Sequence, residues 1–194
     1  MQKYYLYVLL TRTNTMISKL IHNFTNDQYT HAAISLDKDL NRMYSFGRKY
    51  TKNPFLGRFR RETLDTGVYK FHKNLPGLIM EIEVTKQQYE HVESMIHHFI
   101  KNKHLYKYNY PGLIYGLFNK ETHYEHRFLC SEFVYYLLNE SNIVDFNLPR
   151  NLIRPQSLLE IKGTVIYEGN LKELELENNH YILNGMQPVQ FGNV

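Results

Sequence analysis

The stretch Thr30-His31-Ala32-Ala33-Ile34-Ser35-Leu36 decides the fold class. Alternation along it puts Ala32, Ile34 and Leu36 on one face and His31, Ala33 and Ser35 on the other, the period-two pattern of a strand half buried against a core. A charged segment, Asp37-Lys38-Asp39-Leu40-Asn41, then leads into a second apolar and aromatic run over residues 42 to 46. Two such runs around a polar turn read as a β-hairpin, hence an antiparallel sheet. If the Ala32 face meets the core, His31 opens toward the opposite side.

Working outward, residues 4 to 10 read as a first buried strand, and the polar cluster Thr11 to Asn14 supplies N-caps for a helix over residues 15 to 24. Residues 47 to 66, with Pro54, Gly57 and Arg58, Arg60 and Arg61, read as a loop-like insertion, and strands are expected at 67 to 71 and 78 to 84. Residues 86 to 102 carry the most regular helical stripe, formed by Tyr89, Val92, Ile96, Phe99 and Ile100. A short helix is expected from Pro111 to Phe118, a core helix from about Leu129, a helical turn at Pro155 and an edge strand over 165 to 167. The whole reads as a single α+β domain spanning 1–194, with its core over about 4–160 and a C-terminal extension over about 161–194.

Composition narrows the chemistry. The 194 residues carry 23 Lys plus Arg against 19 Asp plus Glu, a formal net charge of +4, which is mild for a surface that tracks phosphates, so nucleic acid is not an expected partner. No run of about 18 apolar residues is present, so no membrane-spanning helix is expected. The apolar N-terminal run lacks a small-residue cleavage site and reads as a strand rather than a signal peptide, which favours the cytoplasm. Arg58, Arg60 and Arg61 beside Phe55, Leu56 and Phe59 suit either a solvated loop or a weak contact with a lipid surface or an anionic substrate.

The chain contains one cysteine, Cys130. A single thiol excludes an intramolecular disulfide and the multi-thiolate metal sites, and none of the ten histidines sits in a ligand pattern, so no metal or cofactor is expected. Cys130 is thus either a core filler or a reactive thiol. It lies in Phe128-Leu129-Cys130-Ser131-Glu132-Phe133-Val134, where the helical pattern starts. A helix N-terminus and a nearby imidazole are two ways to favour a thiolate. Glu132 reads as a solvated first-turn carboxylate.

His31 within Thr-His-Ala-Ala-Ile-Ser-Leu-Asp, the second strand Met43-Tyr44-Ser45-Phe46, and Phe-Leu-Cys130-Ser-Glu-Phe-Val lying 99 residues beyond the histidine together resemble the circularly permuted, YiiX/YycO-like branch of the NlpC-like papain-fold superfamily. Lecithin retinol acyltransferase-like proteins are related to that branch. The resemblance spans residues 4 to 160, and its specific motifs are the two short ones around His31 and Cys130. It implies a permuted papain-like fold, an antiparallel sheet packed against helices including the Cys-bearing one. It further implies Cys130 as nucleophile, His31 as general base and a cysteine-dependent hydrolase that cuts an amide or peptide bond through a thioester.

The third site position is where the chain departs from the family. Aligning the hairpin puts Ser45 where many relatives carry Glu, His, Asn or Gln. A serine can orient an imidazole but carries no charge. Either another group orients His31, or the base is less polarised, or the chain has left catalysis. Acyl transfer by the same pair and a catalytically silent ligand-binding module therefore stand beside hydrolysis, with peptides, amides or acyl esters as the expected partners.

Overall fold

A computed structural model of the chain describes residues 2–12, 25–50, 53–65, 69 and 72–174. The helix expected over 15 to 24 lies outside them, as does the strand expected over 67 to 71 except for Tyr69. The architecture is α+β, built on a six-stranded antiparallel sheet with helices packed against it.

The strands are β1 (Tyr4–Thr11), β2 (His31–Ser35), β3 (Met43–Tyr50), β4 (Asn53–Glu62), β5 (Pro76–Val84) and β8 (Thr164–Asn170), in the order β4-β3-β2-β1-β5-β8. The expected hairpin is present: Ile34 lies opposite Tyr44 and Ser35 opposite Met43. Asp37 builds its turn, its carboxylate accepting from the backbone N–H groups of Asn41 at 2.8 Å and Arg42 at 2.7 Å.

Residues 47 to 66 are not a loop. Most of them extend β3 and form β4, with Ser45 opposite Arg60 and Met43 opposite Glu62. Pro54, which argued against a strand, is tolerated because β4 is the sheet's edge. Gly57 also has a structural role: a Cβ there would sit 2.6 Å from the Tyr108 ring, so the glycine leaves room for that ring against β4. At the opposite edge β8 pairs with β5, and Leu171 and Leu174 are buried beyond it. The core therefore reaches past residue 160, into the segment expected to be an extension.

Helix α1 (Lys86–Lys101) starts at a capping box in which Thr85 and Gln88 satisfy each other's backbone N–H groups. It buries Val92, Ile96 and Phe99, while Ile100, expected on the same stripe, is 40% exposed. Helix α2 (Tyr110–Leu117) carries Pro111 in its first turn. The two-residue strands β6 (Lys107–Tyr108) and β7 (Arg127–Phe128) pair in parallel and deliver the chain to helix α3 (Cys130–Glu140).

Along β2, Ala32 and Ile34 join the core shared with α1 and α3, whereas Ala33 joins a smaller cluster with Met43, Tyr69 and Leu75. Phe46, Phe59, Phe99, Phe128 and Phe133 meet at the centre of the larger core, with ring centroids 5.1 to 6.5 Å apart. Edge-to-face and tilted aromatic pairs of this kind add to the stabilisation from burial alone. This cluster locks α3 against β3 and β4, and so fixes the height at which Cys130 meets the sheet.

Candidate active site

Three elements converge on His31. The residue opens β2, opposite Thr11 of β1, and its Nε2 lies 3.1 Å from Oε2 of Glu62, the last residue of β4. Both side chains are sheltered, at 12% and 3% exposure. Glu62 engages Nε2, and the third element is Cys130 at the start of α3, whose electrostatic influence reaches the imidazole.

The electrostatics follow from this sandwich. Burial disfavours the imidazolium, but the Glu62 carboxylate, with the neighbouring Cys130, outweighs that cost and lifts the His31 pKa to about 10. Burial likewise opposes charge on Glu62, yet the facing His31, with Arg60 and the Ser45 hydroxyl nearby, holds its carboxyl below the ordinary value. Tyr69 donates its hydroxyl to the same Oε2, at 3.0 Å. Space for this carboxylate is kept by Gly47, where a Cβ would stand 2.8 Å from Glu62 Oε1.

Of the residues expected from sequence, His31 feels the electrostatic influence of Cys130, and the carboxylate of Glu62, not the Ser45 hydroxyl, is the group bonded to its ring. Ser45 is fully buried and its Oγ makes no hydrogen bond to the imidazole; it stands behind Glu62, whose charge it favours. Glu62, the acid that faces the ring, lies in β4, within the segment expected to be a loop-like insertion. Arg58, Arg60 and Glu62 alternate with Gly57, Phe59 and Arg61, and it is the pairing of β3 with β4 that makes the row carrying Ser45 and Gly47 end at a carboxylate.

Glu132 is also unlike its expectation. Rather than solvated, it is 1% exposed, accepting from the Leu129 backbone N–H at 2.7 Å and from Asn109 Nδ2 at 2.9 Å. Burial raises its pKa to about 7, against the opposing effects of the Leu129 N–H, Arg150 and Asn109. Asn109 uses its Oδ1 to accept from Gly112 N–H and so caps α2. The neighbouring Ser131 donates to the Ile153 carbonyl at 2.6 Å. These bonds pin the first turn of α3 from both sides.

Cys130 is buried but lines a cleft of about 500 Å³. Tyr108, Leu113, Leu129 and Ile153 give the cleft apolar walls, and Arg154 stands among its polar lining. Arg154 faces the buried Asp27 at 3.4 Å. On the nearby α2 and loop, Ile114, Tyr115, Phe118 and Leu148 are exposed apolar side chains. Among the described residues no group of three or more His, Cys, Asp or Glu could hold a metal, and no helix is long and apolar enough to cross a membrane.

A thiol at a helix N-terminus, an imidazole under its electrostatic influence, and a carboxylate bonded to that imidazole are the groups from which a nucleophile can be activated and a proton moved to a leaving group. Compared with family models, curated proteins and solved structures, the chain matches none.

Proposed function

We propose that this chain is a cysteine-dependent hydrolase of permuted papain-like fold that cuts an amide or peptide bond, with Cys130 as nucleophile, His31 as acid and base, and Glu62 in place of Ser45 as the orienting group. The observation that carries the reading is a half-buried His31 with Glu62 Oε2 at 3.1 Å and Cys130 close enough to bear on its charge. A histidine serving only as packing has no need of an acid on one side and a thiol on the other.

In this mechanism the Cys130 thiolate attacks the acyl carbon, and the carbonyl pair moves onto oxygen. The resulting oxyanion faces the backbone N–H of Cys130, one of the N-terminal donors that a helix leaves without an internal partner. Collapse forms the thioester and breaks the carbon–nitrogen bond as imidazolium His31 gives its proton to the departing amine. Neutral His31 then takes a proton from water, whose hydroxide attacks the thioester. Cys130 leaves as thiolate beside the restored imidazolium. Glu62 keeps its charge throughout and balances the imidazolium at each turn. An enzyme that cycles through a free thiol suits a reducing compartment such as the cytoplasm.

The test uses p-nitrophenyl acetate as an acyl donor. The wild-type protein should release p-nitrophenolate in a burst and carry one acetyl group on Cys130 by peptide mass spectrometry, and both signals should vanish in Cys130→Ser and fall steeply in His31→Ala. Acetylation spread over lysines, with no burst and no dependence on Cys130, would overturn the proposal.

A further inference from the structure

Tyr69 is a buried tyrosine, 1% exposed, in a segment remote from both motifs around Cys130 and His31. Its hydroxyl donates to Glu62 Oε2 at 3.0 Å, the same oxygen that lies 3.1 Å from His31 Nε2. Its ring meets the imidazole edge-on, with centroids 6.0 Å apart and planes at 61°. One phenol therefore touches both members of the pair: it bonds the acid and flanks the ring. A carboxylate can rotate about its stem and offer either oxygen, so a single bond to His31 would leave its orientation open. The second donor on Oε2 closes that freedom, and Gly47 leaves room for Oε1 on the other side.

We propose that Tyr69 is a positioning residue for the His31–Glu62 pair, its hydroxyl holding Glu62 Oε2 against the imidazole. This rests on the reading of Cys130 and His31 as a working pair. The charged and polar groups around it are few. Glu62 faces His31 from β2, Arg60 from its own strand and Ser45 from β3, while Tyr69 faces Glu62, Thr11 of β1 and Cys130. None of the others joins ring and acid as Tyr69 does. The phenol itself stays protonated, since burial and the Glu62 charge raise its pKa well above the ordinary tyrosine value. It is a donor at every working pH.

Because Cys130 is the sole cysteine, its alkylation by iodoacetamide reports the pair without a known substrate. Rates would be followed by intact mass between pH 5 and 9 for the wild type, Tyr69→Phe, Glu62→Gln and the double variant, each first checked for a native melting transition. Tyr69→Phe keeps the ring and removes only the donor. It should alkylate roughly three- to tenfold more slowly at pH 7, the size expected for one net hydrogen bond, with its pH–rate curve displaced toward higher pH. On the Glu62→Gln background the same change should add almost nothing, since Tyr69 acts through the carboxylate.

A folded Tyr69→Phe protein with the wild-type rate and pH curve would overturn the proposal, and so would additive losses in the double variant. Failure of the underlying reading looks different: wild-type alkylation would then be unaffected by His31→Ala. Should Tyr69→Phe fail to fold, Tyr69→His, which retains a ring donor, should fold and recover part of the rate; a folded Tyr69→His no faster than Glu62→Gln would contradict the assignment.

Discussion

His31 has an ordinary pKa near 6.5 in an unfolded chain but about 10 in the folded one. Its folded value is raised, so the stability it contributes is complete below about pH 6.5 and is lost as pH climbs toward 10. Glu62 works in the opposite direction. Its folded pKa is below the ordinary carboxylate value of 4.5, so its contribution is present above that pH and disappears as pH falls through the lowered value. The pair thus supports the fold most fully between about 4.5 and 6.5. Urea midpoints of the wild type and His31→Gln should differ most near pH 6, and the gap should narrow steadily by pH 9. A gap constant over that range would mean that His31 is not an imidazolium in the folded protein. At this scale Cys130 and His31, the proposed nucleophile and base, are legible because each sits in a short motif inside one element. Ser45 misled because strand alignment identifies a row of side chains, and only the fold reveals that the next strand adds a carboxylate to that row.

Each element near the site is fastened at its end. The first turn of α3 is held by Glu132, which takes the Leu129 N–H, and by Asn109, which bridges that carboxylate to the cap of α2. Asn109→Ala would strip a donor from a buried carboxylate and an acceptor from a helix start together. It should cost about 2–4 kcal/mol by urea denaturation, whereas Asn102→Ala at the exposed end of α1 should cost less than about 1 kcal/mol. Equal effects would show that the Glu132–Asn109 bridge does not secure the two helices. The helices were readable because apolar periodicity and caps are local: Thr85, Pro111 and Leu129 lie within a residue of the observed starts. Strand β4 was not, because Pro54, Gly57 and three arginines are all features of loops. What makes them a strand is an edge position, a tyrosine ring needing the bare glycine, and the partner β3, all of them tertiary facts.

At the scale of the molecule, the site exists only where β2, β4, Tyr69 and α3 meet, and these are spread from residue 31 to residue 130. The aromatic cluster around Phe46 and Phe133 sets the spacing of sheet and helix, so the proposed chemistry depends on packing some distance from the reacting atoms. An α+β class with an antiparallel sheet was legible from the alternation in 30 to 46 and the stripe in 86 to 102, and the assembly of the acid was not, since no local pattern encodes which strand borders β3. The central claim is that His31 is an imidazolium held between Glu62 and Cys130, and the most direct measurement is the titration of its ring nitrogens by NMR. The wild-type ring should remain doubly protonated through neutral pH and titrate near 10. Glu62→Gln and Cys130→Ser should each lower that value, and Ser45→Ala should lower it least. A wild-type ring that titrates near 6.5, unmoved in Glu62→Gln and Cys130→Ser, would contradict the account.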